Sequence, residues 1–291
     1  DVSVVSTLYP LTLGASVYTV GTSKLKYMRV YELMEDEELT FVPMPPSLLQ
    51  FLSPYFDEIH VPKLKYLIVT AEAANADLLQ RFRACAPNAE FVNLYGPTEA
   101  TIYCTAYRIP PPDYKQHNGM IAIGRPFTGI DTIIMDEKET PVQTGEQGEL
   151  WVSGEQVMRG YWQDVEKSRQ VFARFNGKEY YKTGDLCSVD PDGDIIYRGR
   201  KDYQVKVQGF RVELSEIEYR TKKFFLNETN AVVVPKKEDD GGCQLHLFVG
   251  TTPHERDALL HYLKEHLPVY MIPTEIHFLE EFPLNTSGKI D

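Results

Sequence analysis

Cysteine is sparse in this 291-residue chain: Cys85, Cys104, Cys187 and Cys243 stand far apart and form no CxxC pair. That spacing excludes a disulfide framework and a cysteine-rich zinc site, and it points to a reducing compartment. No uncharged run approaches the roughly 18 residues of a membrane helix. The opening Asp-Val-Ser-Val-Val lacks the basic region and apolar stretch of a secretory signal. Basic side chains are outnumbered, 30 Lys and Arg against 42 Asp and Glu, for a net charge of −12. A balance of that sign disfavours nucleic acid or an anionic membrane surface as the main partner. The seven histidines show no HExxH or comparable spacing, so no imidazole metal centre is expected. The chain reads as cytoplasmic, with no nucleic-acid and no membrane partner.

What is present is the composition of a globular protein, 43% hydrophobic and 25% charged, in a length that suits one large domain or two smaller ones. The chain starts abruptly inside what reads as a structured segment, so a fragment of a larger protein is expected. Phe41 to Met44 and Leu64 to Val69 read as buried strands. Asn75 to Cys85 reads as a helix capped by Asn75, with Leu78, Leu79 and Phe82 on one face. Glu90 to Tyr95 returns as a strand, and this β–α–β order predicts a parallel α/β layer. From about Ile121 to Tyr197 the texture changes to short strands and turns, with Asp192-Gly193 as a hairpin signal. After Asp202 come a capping box, Ser215-Glu216-Ile217-Glu218, strands at Ala231 to Val234 and Gln244 to Val249, and an amphipathic helix from His254 to His266. The expected domains are 1–201, comprising an α/β layer (1–115) and a β-rich part (116–201), and a small α+β domain over 202–291.

The strongest chemical signal is Asn93-Leu94-Tyr95-Gly96-Pro97-Thr98-Glu99. A strand ends there, Gly96 and Pro97 turn the backbone, and three functional side chains follow at the strand edge where α/β sheets bind ligands. Tyr95 can stack on a base, Thr98 can bond a phosphate, and Glu99 can hold Mg²⁺, which prefers oxygen ligands. A plain turn with a surface glutamate would look the same in isolation. Further segments follow in order: Gly148-Glu149-Leu150-Trp151-Val152-Ser153-Gly154, Arg159-Gly160-Tyr161-Trp162, and Tyr181-Lys182-Thr183-Gly184-Asp185-Leu186. Then come Tyr197-Arg198-Gly199-Arg200-Lys201-Asp202, Gly209-Phe210-Arg211-Val212-Glu213-Leu214, Tyr270-Met271-Ile272-Pro273 and Asn285-Thr286-Ser287-Gly288-Lys289-Ile290-Asp291.

This ordered set resembles the adenylate-forming superfamily, and within it the amino-acid adenylation domains of nonribosomal peptide synthetases, over the whole chain. The resemblance implies a mixed α/β core with a β-barrel-like subdomain plus a small mobile C-terminal α+β domain, incomplete at the N-terminus. It implies that ATP and Mg²⁺ are used, that an amino acid becomes an aminoacyl-adenylate, and that a phosphopantetheinylated carrier protein in a larger synthetase receives the acyl group. It assigns Tyr95, Gly96, Asp185, Tyr197 and Arg200 to the nucleotide, Glu99 to the metal, and Lys289, Arg200 and Thr98 to catalysis. Asp202 becomes the hinge and Gly209 the contact for the carrier arm. These assignments make chemical sense. A carboxylate such as Asp185 accepts two ribose hydroxyls, a guanidinium suits phosphate or ribose oxygens, and a lysine offsets charge that builds as the carboxylate attacks ATP.

By the same resemblance Asp1 pairs with the substrate ammonium, and Val2, Val5, Pro43, Ile68, Thr70, Leu94, Ile102 and Tyr103 line the pocket. That wall carries no charge, and a charged substrate side chain would be left unpaired there. A neutral, apolar amino acid is therefore expected. The family's phosphate-binding loop falls upstream of Asp1, so these residues alone are expected to be catalytically poor. A D-alanine–carrier-protein ligase, another acyl-adenylate-forming ligase, or an inactive remnant that binds only nucleotide or carrier remain alternatives. Asn227-Glu228-Thr229 and Asn285-Thr286-Ser287 match glycosylation sequons, a motif too short to weigh against an intracellular protein.

Overall fold

Alternation along three short apolar strands organises the first half of the chain. In the computed structural model, which describes residues 2–20, 26–117, 119–201, 205–226, 229–238, 242–251 and 255–283, helices α1 (Val2–Thr12) and α2 (Lys26–Asp36) come first. Strands β1 (Phe41–Met44), β2 (Tyr66–Thr70) and β3 (Glu90–Tyr95) run parallel, interleaved with helices α3 (Pro46–Leu52) and α4 (Ala76–Phe82). Strand β4 (Thr105–Ile109) adds to β3 antiparallel. Strands β5 (Gln116–His117) and β6 (Met120–Ile121) form a short ribbon, and β7 (Arg125–Pro126) completes the first sheet in the order β1-β2-β3-β4-β7.

The period of two sends Val42, Met44, Leu67, Val69 and Phe91 into a core with Leu48, Leu49 and Leu52 of α3 and Leu78, Leu79 and Phe82 of α4. Each such side chain contributes about 1.5–3 kcal/mol on burial. Asn75 caps α4 as expected, its Oδ1 accepting from Leu78 N–H at 3.1 Å. The helix ends at Phe82 rather than at Cys85. The Cys85 carbonyl is taken by Val61 N–H at 2.8 Å and its thiol donates to the Phe56 carbonyl, so the chain turns into the core there.

The β-rich part is a five-stranded antiparallel sheet of β8 (Ile130–Met135), β9 (Gly148–Gly154), β10 (Phe172–Phe175), β11 (Lys178–Val189) and β12 (Ile195–Arg200), with α5 (Val165–Val171) before β10. The order is β10-β11-β9-β8. Long β11 pairs with β10 along its first residues and with β12 along its last, and the β11–β12 turn carries Asp192 and Gly193. Leu150, Val152, Ile134, Cys187 and Ile195 share a core with Ala100 and Cys104, which fastens this sheet to the segment after β3.

The chain divides into two compact units, Asp1–Asp202 and Tyr203–Asp291. The second opens with a hairpin, β13 (Val205–Val207) and β14 (Phe210–Val212), turned at Gln208 and Gly209. Both turn residues have left-handed φ, 50° and 82°, as a tight hairpin requires. Helix α6 (Leu214–Phe224) follows, then strands β15 (Ala231–Lys237) and β16 (Cys243–Val249), helix α7 (Arg256–His266) and strand β17 (Glu275–Phe278). Strands β15 and β16 pair antiparallel, and β16 and β17 parallel. Val207, Val212, Ile217, Val233, Leu247, Leu259 and Leu263 share its core.

The capping box expected at Ser215 does not form. Helix α6 starts two residues earlier than that box requires, with Glu213 at its N-cap, and Ser215 falls inside the first turn. Glu218 accepts from Val233 N–H at 2.9 Å instead of reaching back along the helix. A backbone donor on the neighbouring strand outcompetes the local one.

Candidate active site

Thr183-Gly184-Asp185 is a bulge, and the bulge is what presents Asp185. Lys182 pairs with Trp151 and Leu186 with Glu149, so three residues of β11 face Leu150 alone. Such an excess bends a strand and re-aims a side chain. Gly184 supplies the left-handed φ of 72°. Thr183 repairs the interrupted ladder: its hydroxyl donates to the Leu150 carbonyl at 2.7 Å and accepts from Asp185 N–H at 3.0 Å. Glu149 accepts from Gly184 N–H at 3.0 Å.

The Asp185 carboxylate is buried and held on both oxygens. Arg200 Nη1 donates to Oδ1 at 2.9 Å, and the Tyr95 hydroxyl donates to Oδ2. Arg200 also donates to the Thr183 carbonyl at 3.1 Å. Burial, and then the nearby Asp185 charge, push the Tyr95 phenol well above its ordinary range, so it stays a donor at neutral pH. Tyr197 lies on β12 opposite Cys187, packed against the core that holds Tyr95. The structure thus gathers Tyr95, Asp185, Tyr197 and Arg200 in one place.

Between β3 and β4 the chain makes a tight excursion. Gly96 admits no side chain, because a Cβ there would stand 2.5 Å from the Ile102 carbonyl oxygen. Thr98 begins a single 3₁₀ turn and is exposed. Glu99 in the same turn is buried, and the Tyr161 hydroxyl donates to its Oε1 at 2.7 Å. Burial, followed by the hydrogen bond to Glu99, pushes the Tyr161 phenol up. A carboxylate fixed in this way offers oxygen to a hard cation. Among the described residues no group of three or more His, Cys, Asp or Glu could hold a metal by itself.

Half of the expected pocket wall, Pro43, Ile68, Thr70 and Leu94, falls on the face of the first sheet opposite the helical core. Pro43 pairs with Ile68, and Thr70 with Leu94. Tyr103 reaches Thr70: burial pushes its phenol up, and a hydrogen bond with the Thr70 side chain pulls it partly back. Ile102, with φ of 76°, is buried beside it. Val5 lies on α1 and is 37% exposed, while Val2 begins that helix. Gly209 sits at the β13–β14 turn of the second unit. Asp1, Asp202 and Lys289 lie outside the described residues.

Three residues at this site were not singled out from sequence. Glu149 and Tyr161 stand inside motifs that were noticed, and the motif context was their signal. Gln156 had none. Its side chain donates to the Ala100 and Tyr103 carbonyls, at 2.5 Å and 2.7 Å.

Comparison with known proteins sets this chain and its fold among adenylate-forming adenylation domains. Residues 1–162 match the family described as AMP-binding enzyme, and the chain belongs to that family. Tyrocidine synthase 2 of Brevibacillus parabrevis is 33% identical over 300 residues, covering 100% of this chain and 8% of that protein. Gramicidin S synthase 1 of Brevibacillus brevis is 32% identical over 296 residues, covering 100% and 26%. The crystal structure of the Vibrio cholerae adenylation domain AlmE, in complex with glycyl-adenosine-5'-phosphate, superposes with a TM-score of 0.89 at 27% identity, covering 100% of this chain and 55% of that one. The chain therefore spans about half of AlmE and a small part of the synthetases.

Proposed function

We propose that this protein activates a neutral, apolar amino acid as its adenylate and passes it to the phosphopantetheine thiol of a carrier protein. The observation that carries the reading is the Asp185 carboxylate, fixed between Tyr95 and Arg200 on a bulge built for it. Each carboxylate oxygen keeps a lone pair beyond these bonds. Asp185 would accept the two ribose hydroxyls of ATP, with the adenine against Tyr95 and Gly96, beside Tyr197. Arg200 would steady Asp185 and meet phosphate or ribose oxygens.

In the first half-reaction a substrate carboxylate oxygen attacks the α-phosphorus. The bond to the β-phosphate oxygen breaks, and pyrophosphate leaves with the electron pair. No enzyme nucleophile is needed, so positioning and charge stabilisation carry the step. Lys289 would bridge the reacting carboxylate and phosphate oxygens, and Thr98 would bond phosphate. Glu99 suits Mg²⁺, which binds through one or two carboxylates together with substrate phosphates. When bound, the ion offsets phosphate charge.

Selection of an amino acid would fall to Asp1, facing the substrate ammonium, and to the uncharged wall of Val2, Val5, Pro43, Ile68, Thr70, Leu94, Ile102 and Tyr103. In the second half-reaction a carrier thiol attacks the acyl carbon, AMP leaves, and the thiol proton passes to solvent. Asp202 would serve as the hinge for this change and Gly209 as the contact for the carrier arm, with neighbouring synthetase modules supplying the carrier. AlmE's glycyl adenylate makes glycine and alanine necessary members of any substrate panel.

The direct test is mass-spectrometric detection of aminoacyl-AMP and pyrophosphate after the intact protein meets MgATP and an amino-acid mixture. The expected species carries a neutral, apolar side chain. Release of AMP or ADP with no acyl-adenylate would remove the reading.

A further inference from the structure

The segment that carries Ile102 and Tyr103 is held in an unusual backbone conformation. Thr101 and Ile102 have left-handed φ of 53° and 76°. For a β-branched residue such as isoleucine that region is strongly disfavoured, and surrounding structure must impose it. Local geometry does part of this: Tyr103 N–H donates to the Thr101 carbonyl at 3.0 Å, and Cys104 N–H to the Tyr95 carbonyl at 2.8 Å.

The remainder comes from the chain just beyond β9. The Gln156 amide nitrogen has two hydrogens, and both are used: one on the Ala100 carbonyl at 2.5 Å, the other on the Tyr103 carbonyl at 2.7 Å. The Gln156 backbone carbonyl in turn accepts from the Thr101 hydroxyl. Two residues on, Met158 N–H donates to the Glu99 carbonyl at 2.8 Å. Gln156 therefore grips the backbone on both sides of the left-handed pair, and a primary amide is the uncharged side-chain group able to give two such bonds.

We propose that Gln156 is a positioning residue that determines substrate specificity: it fixes Ile102 and Tyr103 as the end of the amino-acid pocket. The inference rests on the reading of Ile102 and Tyr103 as pocket wall. Without the two donors, Ile102 relaxes toward the extended region. Its side chain, and the Tyr103 ring bonded to Thr70, then leave their places. Nucleotide binding through Asp185 and Arg200 does not pass through this clamp.

The test compares Gln156→Ala and Gln156→Glu in the intact protein by amino-acid-dependent ATP–pyrophosphate exchange, alongside deuterium uptake over residues 100–104. Alanine removes both donors, while glutamate keeps the size and sets a carboxylate against two carbonyl oxygens. The expected result is a rise of roughly tenfold in the amino-acid KM for Gln156→Ala, larger for Gln156→Glu, with the ATP KM within about twofold of the parent. Preference between substrates differing by one methylene should narrow, and uptake should rise over 100–104 but not over β1 to β3, nor at Thr98 and Glu99, whose turn keeps its own tie from Met158 N–H to the Glu99 carbonyl. Equal rises in both KM values, or an unchanged amino-acid KM with unchanged uptake, would overturn the proposal. A parent without amino-acid-dependent exchange would defeat the adenylation reading and the specificity role together. In that event the deuterium uptake of the two variants still decides whether Gln156 holds the loop.

Discussion

The Tyr95 hydroxyl donates to the Asp185 carboxylate, joining the end of β3 to a bulge 90 residues further along the chain. Arg200 closes the arrangement from β12. Asp185→Asn keeps the shape, removes the charge and weakens both bonds. Charge-assisted hydrogen bonds contribute about 1.5–3 kcal/mol each, so the ATP KM should rise on the order of 10- to 100-fold while the amino-acid KM moves little. Initial-rate exchange at varied ATP checks this, and an unchanged ATP KM would count against Asp185 as a nucleotide contact.

The bulge is testable apart from its carboxylate. Gly184 at φ 72° is replaceable by alanine only at a cost of about 1–2 kcal/mol. Gly184→Ala should lower the melting temperature and raise the ATP KM together. Gly177, also left-handed at φ 79° but in the β10–β11 turn with open space around it, should cost a similar amount of stability and leave the ATP KM alone. Thermal unfolding and exchange kinetics on both variants separate the backbone effect from the site effect.

Lys115 is one of two cations in a three-aspartate cluster: its Nζ lies 2.6 Å from Asp190, 2.8 Å from Asp192 and 2.6 Å from Asp194, and Arg125 Nε donates to Asp194 at 3.0 Å. Hydrogen bonds that the Lys115 ammonium donates to these carboxylates raise its pKa above the ordinary lysine range. Burial alone would push Asp190 up, yet Lys115 and the N–H groups of Asp194 and Asp192 hold it below its usual value. A depressed carboxylate stabilises the fold above its unfolded pKa, about 3.9, and loses that contribution as pH falls through the folded value. The raised lysine works at the other end: its contribution is complete below about pH 10.4 and is lost as pH rises through the folded value. Lys115→Met should therefore melt lower than the parent at pH 7, with the difference shrinking below about pH 4. A melting-temperature series in pH checks this, and a constant difference from pH 7 to pH 3 would contradict it.

The cysteines give a probe of packing. Burial above all pushes the Cys104 thiol to about 12 and the Cys85 thiol to about 11, and raises Cys187 as well. Cys243 is half-buried. Iodoacetamide at pH 8 should modify Cys243 in the native protein and the other three only after unfolding, since the thiolate is the reactive form. Peptide mapping of the labelled protein reads the result directly.

Much of the architecture was legible where a local rule decided it. Asn75 capped α4 because a side-chain acceptor before an apolar face has one nearby use, and the short apolar runs at 41–44 and 90–95 marked strands that lie where expected. Motif order singled out Tyr95, Asp185 and Arg200, and the fold joins these three by hydrogen bonds. The bulge at Thr183 to Asp185 was not, because it exists only relative to the register of β9, and Glu149 in a strand looks solvent-facing until Gly184 N–H is beside it. The false capping box at Ser215 failed for the same reason. Its glutamate found a donor on β15, which no spacing along the helix reveals. Lys115 and its aspartates lie more than 70 residues apart, and nothing local joins them.

An uncharged pocket that selects an amino acid for adenylation on the Asp185 and Arg200 platform has one decisive readout. Amino-acid-dependent ATP–pyrophosphate exchange by the intact protein, across a panel that includes glycine, alanine, the aliphatic and aromatic residues and the charged ones, tests it most directly. Exchange is expected with one or a few neutral, apolar amino acids and none with aspartate, glutamate, lysine or arginine. Exchange without any amino acid, or exchange led by a charged one, would contradict it.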